Sequence, residues 1–181
     1  MDYKIISFYT EPEPNLTYYT NHSKRFIKEC ESFGLNYYVE NLESKNDYWV
    51  NCRMKPHFIY SCMKKFDMPL IWLDIDSQIV KKPNESNFKD LDFCAVFRKD
   101  VNLSFYVHCL YFRNCKLILE VLEKWINVCD SMGLGKVGDH YPLYEIIKNN
   151  PNVKWNYMED FTQMELSPTS IIKSKKSIRK K

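Results

Sequence analysis

The chain has 181 residues, 45% of them hydrophobic and 15% aromatic, enough for one ordinary domain with a core of its own. Its formal net charge of +3, with charges of both signs making up 27% of the residues, excludes a nucleic-acid-binding role resting on overall charge. No stretch approaches the ~18 to 20 apolar residues that span a bilayer, and the start Met1-Asp2-Tyr3-Lys4 lacks the pattern of a secretory leader, so a cytoplasmic, untethered protein is expected.

Seven cysteines occur without any Cys-x-x-Cys pair and mostly within apolar runs, which reads as buried free thiols in a reducing compartment. In chain order, residues 3–9 form an apolar run broken by Glu11-Pro12-Glu13-Pro14, a first strand and loop. Tyr19, His22, Phe26, Ile27, Cys30 and Phe33 then recur at helical spacing. Lys24, Lys28 and Glu29 face away, and Gly34 is placed to end the helix. Residues 35–42 read as a second strand. After a polar loop, Phe58, Ile59, Cys62, Met63 and Phe66 mark a second helix, with Pro56 in its first turn.

The run Leu70-Ile71-Trp72-Leu73 has no polar alternation, the pattern of a strand covered on both faces. Strand and helix alternate up to this point, as in an open, mostly parallel sheet wound with helices on both faces, an α/β fold. Ligands of such sheets bind beyond the carboxyl ends of the strands, and Asp74-Ile75-Asp76 lies there. Further on come strands at residues 92–97 and 106–112. A helix carrying Ile118, Val121, Leu122, Trp125 and Cys129 follows, then a glycine-rich break at residues 133–138, a helix begun by Asp139, and a strand at residues 153–157. The segment after residue 172 holds six Lys or Arg and is the only local departure from balanced charge.

Two carboxylates one residue apart point the same way from an extended segment and can converge on one ion. Oxygen ligands favour a hard cation, Mn²⁺ or Mg²⁺, that takes its other ligands from water and substrate phosphates. Asp139 reads equally as a helix N-cap and as a carboxylate acting on a substrate. Lys55, and less strongly Arg53, precede a helix N-terminus, where a cation gains nothing from the helix dipole and so suggests an anion. Tyr9 and Thr10, ending the first strand, suit a nucleobase or the core equally. Trp72 and Trp125 read as core, and Asp100 as a solvated turn residue.

Four stretches, in order, resemble the nucleotide-diphospho-sugar transferases of GT-A fold that carry a DxD motif, including small bacterial and large-virus members. They are Ile5-Ile6-Ser7-Phe8-Tyr9-Thr10, Lys55-Pro56-His57-Phe58-Ile59, Leu70-Ile71-Trp72-Leu73-Asp74-Ile75-Asp76 and Leu110-Tyr111-Phe112-Arg113-Asn114. Gly138-Asp139-His140 follows where that family often has Asp-Gln. The resemblance implies a single GT-A-like domain, with a nucleotide-sugar-binding half at about residues 1–83, an acceptor-side half at about 84–165 and a basic tail at 166–181.

It further implies a metal-dependent glycosyltransferase, moving a hexosyl or pentosyl group from a UDP- or GDP-sugar to a hydroxyl acceptor, a glycan or a protein-linked sugar. Tyr9, Thr10, Lys55, Asp74 and Asp76 would bind the donor, Asp74 and Asp76 the metal, with His140 as candidate third ligand and Asp139 as the catalytic carboxylate. In some GT-A enzymes a C-terminal segment closes over the donor, which the basic residues of the tail would suit. Two other readings stand beside this one: a non-catalytic nucleotide-sugar-binding protein on the same fold, and a haloacid-dehalogenase-type phosphatase. The latter fits poorly, because its motif belongs to the first strand and wants Thr or Val where Gln78 stands.

Overall fold

The computed structural model of the protein describes residues 2–11, 17–97, 105–133, 138–158 and 161–164. Strand β1 (Lys4–Tyr9) is followed by helix α1 (Tyr18–Ser32), strand β2 (Tyr37–Asn41), helices α2 (Tyr48–Arg53) and α3 (Lys55–Phe66) and strand β3 (Leu70–Leu73). Then come β4 (Ser77–Ile79), a 3-10 turn at Glu85–Asn87, β5 (Phe93–Phe97), β6 (Phe105–Phe112), α4 (Lys116–Ser131), α5 (His140–Lys148), β7 (Trp155–Met158) and β8 (Thr162–Met164).

Six strands form one sheet in the order β2-β1-β3-β6-β5-β7, while β4 and β8 pair antiparallel in a small second sheet. β1 runs parallel to β2 and β3, and β5 parallel to β7; β6 alone runs against its neighbours. Its reversal follows from chain length. Only residues 98–104 separate β5 from β6, whereas a parallel return needs a crossover of about a dozen residues or more.

Period-two alternation sends successive side chains of the sheet into two separate cores. Ile6, Trp72, Ala95 and Leu110 pack with Phe58, Val121, Trp125 and Leu143 from α3, α4 and α5. On the other face Ile5, Ile71, Cys94 and Tyr111 pack with Phe26 and Cys30 of α1. All four residues of β3 are buried, as its unbroken apolar run requires. Helix α1 ends at Gly34, whose φ of 61° is the left-handed conformation that spares glycine a Cβ clash. The Gly34 and Leu35 amides donate back to the Glu31 and Cys30 carbonyls, a Schellman closure.

The expected polar loop before α3 instead contains α2, capped by the Asp47 carboxylate accepting from the Val50 amide at 2.9 Å. β4 and β8 were not expected either. Each is three residues long, too short to show a hydrophobic period.

Candidate functional site

β1 and β3 are parallel with Ile6 opposite Trp72, so Tyr9-Thr10 and Asp74 leave the sheet at the same end. The Ser7 hydroxyl donates to the Leu73 carbonyl at 2.7 Å, and the Asp74 amide donates to the His108 carbonyl of β6 at 2.8 Å. These bonds fix the position at which the chain departs. The Ser77 amide then donates to the Asp74 carbonyl at 2.9 Å, closing a turn over residues 74–77. The two aspartates therefore sit in a turn rather than on an extended segment, and their direction is not set by strand alternation.

That turn is gripped from α1. One Arg25 nitrogen donates to the Asp76 and Ser77 carbonyls at 3.2 and 3.1 Å. Arg25 also pairs with Glu29 at 3.3 Å, and Glu29 accepts from the Ile79 amide at 2.8 Å. Glu29, expected to face away from the fold, thus points at the strand that follows the motif. Burial pushes the Tyr19 phenol of α1 well above its ordinary value, helped next by Asp76 and, more weakly, by Asp74. Both carboxylates therefore bear electrostatically on one α1 side chain.

The centre of the site is Lys55, whose side chain is only 6% exposed. Its ammonium lies 3.0 Å from Asp74 Oδ1, 2.9 Å from Asp139 Oδ2 and 3.1 Å from the Val107 carbonyl of β6. The ammonium donates to the Val107 carbonyl and lies within ion-pair distance of both carboxylates. Burial opposes its charge, but Asp139 and then Asp74 outweigh burial and hold Lys55 above the usual lysine range. Lys55 was expected to suit a substrate phosphate; here its anions belong to the protein.

Each aspartate has a tryptophan of its own. Trp72 Nε1 donates to Asp74 Oδ1 at 2.9 Å, and Trp125 Nε1 donates to the Asp139 backbone carbonyl at 2.8 Å. Both rings are buried as expected, yet each indole also spends its one polar group on the site, as a buried tryptophan usually must. Asp139 precedes α5 but makes no side-chain cap hydrogen bond. The N-cap alternative fails because its carboxylate is turned toward Lys55 instead.

Cys52 and Tyr48 extend the cluster from α2. The Tyr48 ring is 39% exposed, while its hydroxyl engages the Cys52 thiol. Burial, with Asp139 adding to it, pushes that thiol up to about 12. Sequence reasoning missed Arg25, Glu29, Tyr48 and Cys52 because none stands in a motif. Arg53 is buried and donates to the Gly133 carbonyl, so it braces the turn after α4.

His140 opens α5 beside Gly138; a Cβ on that glycine would lie 2.8 Å from the imidazole Nδ1 and 3.7 Å from Trp49. Among the described residues no group of three or more His, Cys, Asp or Glu is gathered as a metal cage. The expected trio of Asp74, Asp76 and His140 is therefore not assembled here as a ligand set. Thr10 is buried and Tyr9 half-buried against the α1-side core. A depression of about 90 Å³ lined by Pro69, Phe88, Leu91 and Arg113 lies at the opposite end of the strands, away from these groups. Asp100 and the basic tail lie outside the described residues. No helix among the described residues is long and apolar enough to cross a membrane.

No family model and no curated protein matches the chain. Solved structures do match, and they define the class by fold: a GT-A-like architecture shared with glycosyltransferases. One is a glycosyltransferase involved in the glycosylation of the major capsid of PBCV-1, at a TM-score of 0.70 and 16% identity over 88% of this chain and 82% of that one. Another is the glycosyltransferase GlyE of Streptococcus pneumoniae TIGR4, at a TM-score of 0.55 and 13% identity, covering 88% of this chain. Its apo form gives 0.59 and 11%. This chain spans 45% and 46% of those two pneumococcal chains.

Proposed function

We propose that this protein is a metal-dependent glycosyltransferase, moving a sugar from a nucleoside-diphosphate donor to a hydroxyl acceptor. The observation that carries the reading is the pairing of two aspartates from different halves of the fold, Asp74 and Asp139, through buried Lys55 at the strand end. Such a strand end is where α/β sheets bind ligands, and the fold is one that solved glycosyltransferases share.

The donor atoms suit a hard cation. Asp74 Oδ1 is taken by Lys55 and Trp72, so the oxygen ligands would be the second oxygen of Asp74 and the carboxylate of half-buried Asp76. Mg²⁺ and its analogues are commonly held by one or two carboxylates, with waters and phosphates completing the shell. Such a shell requires no histidine. Bound there, Mn²⁺ or Mg²⁺ would supply charge neutralisation for a departing nucleoside diphosphate.

The remaining roles fall to this chain's own residues. Tyr9 and Thr10, at the end of β1, receive the nucleoside. Asp139 pairs with Lys55 through Oδ2, and its other oxygen takes the proton of the acceptor hydroxyl while the hydroxyl oxygen bonds to the anomeric carbon and the nucleoside diphosphate departs with the electron pair of the sugar–phosphate bond. Trp125 holds the Asp139 backbone in place for that transfer.

Calorimetry with UDP- and GDP-sugars, with and without Mn²⁺, tests the proposal on the native protein and Asp76→Ala. Binding should require Mn²⁺ and weaken at least about 100-fold in the variant, equivalent to ~2.7 kcal/mol. Metal-independent binding, or equal affinity in Asp76→Ala, refutes the metal role. Tight binding with no release of nucleoside diphosphate, whatever acceptor glycans are added, would mark a binding protein instead.

A further inference from the structure

We infer that Lys55 is a positioning residue that makes the donor-side and acceptor-side carboxylates one mechanical unit, so that a change at Asp139 is felt at Asp74 and the reverse. The proposed function supplies only the names of the two sides; the coupling itself stands on the geometry of the protein without ligand.

Four separate chain segments meet at one nitrogen: the start of α3, the turn after β3, strand β6 and the residue before α5. The Lys55 ammonium contacts Asp74 Oδ1 at 3.0 Å, Asp139 Oδ2 at 2.9 Å and the Val107 carbonyl at 3.1 Å. With the lysine side chain 6% exposed and that of Asp139 7% exposed, water cannot freely replace a lost partner. A buried ion that loses one anion must lean on the other. The Trp72 ring, 5.2 Å from the ammonium, borders it as well.

The second feature is that both ends of the bridge carry a reporter. Asp74 Oδ1 accepts from Lys55 and from the Trp72 indole at once, at 3.0 and 2.9 Å. The Asp139 carbonyl accepts from the Trp125 indole at 2.8 Å. If Lys55 moves, the oxygen it shares with Trp72 must redistribute its hydrogen bonding. A lysine that merely filled a buried site would leave the far indole undisturbed when one aspartate is changed.

The experiment records the ¹⁵N–¹H indole signals of the full chain without ligand. The protein has four tryptophans, and single Trp→Phe variants assign their signals. Asp139→Asn should displace the Trp72 indole signal, and Asp74→Asn the Trp125 signal. Against a Lys55→Met background, neither second substitution should move the distant indole.

Cross-talk that persists without Lys55, or is missing with it, overturns the inference. Should Lys55→Met not fold, Lys55→Arg serves, since its planar fork changes the donor geometry while keeping the charge. Both indole signals should then shift together, and a shift confined to one of them overturns the coupling. Because no nucleotide or metal is added, failure here is distinct from failure of the glycosyltransferase reading, which the calorimetry decides alone.

Discussion

Asp74 and Asp139 meet the same lysine, but they are held in different ways. At Asp74 the indole of Trp72 and the ammonium of Lys55 share one side-chain oxygen, so the carboxylate itself is fixed twice. At Asp139 the indole of Trp125 holds the backbone carbonyl, and the carboxylate is fixed through Lys55. Exposure follows the same division, at 32% for the Asp74 side chain and 7% for that of Asp139. Asp74 is a rigid post near solvent, whereas Asp139 is a buried arm hinged on a fixed backbone. Loss of the lysine should therefore free Asp139 far more than Asp74.

The sharpest way to break this contrast is Lys55→Met. It strands two carboxylates, one of them deeply buried, and should lower unfolding stability by about 3–5 kcal/mol in chemical denaturation. Asp139→Asn in the same background should recover a large part of that loss, and Asp74→Asn less, because Asp74 keeps its indole and more contact with water. Equal recovery by both would show that the two sides are held alike.

A smaller effect separates the two tryptophans. Trp125→Phe leaves a buried carbonyl without its donor and should cost about 1–3 kcal/mol. Trp72→Phe leaves Asp74 its lysine and should cost less. Denaturant midpoints at unchanged slope would establish the ranking, and the reverse order would contradict the hinged-arm picture.

Thiol chemistry probes the same boundary. Burial pushes Cys52 up to about 12, with Asp139 reinforcing it. At pH 8 the thiol stays protonated and should resist alkylation in the native protein. Asp139→Asn removes one of those two causes, and mass spectrometry of labelled peptides should then find faster Cys52 labelling. Cys30, Cys62 and Cys94, also pushed up to about 12 by burial but not by Asp139, should stay unchanged. The smallest effect is expected at the exposed pair of His57 and Asp130, 2.8 Å apart with side chains 50% and 59% exposed. His57→Ala should change stability by no more than about 0.5 kcal/mol.

Chain-local chemistry determined a large part of this protein. The unbroken apolar run of residues 70–73 and the helical spacing of Phe26 and Cys30 give β3 and α1 their places, because burial of a face imposes its period on the residues that form it. Gly34 ends α1 because a left-handed residue is needed there. The position of Asp74 beyond a covered strand follows from the same patterns, and so does the choice of Asp139 as the acidic candidate beyond the glycine-rich break.

Tertiary structure decided the rest. Residues 74–77 close a turn because Arg25 and Glu29 of α1 hold its carbonyls and the next amide, contacts made across about 50 residues of chain that no local period records. α2 hides in a polar stretch because it rests on neighbouring helices and one Asp47 cap rather than on a long apolar stripe. The carboxylate of Asp139 leaves the cap position since a buried cation offers more than a helix amide does. Lys55 reads in sequence only as a cation at an unfavourable helix end. Its two anions, 19 residues downstream and far beyond that, become visible only when the sheet brings β3, β6 and the start of α5 to one point.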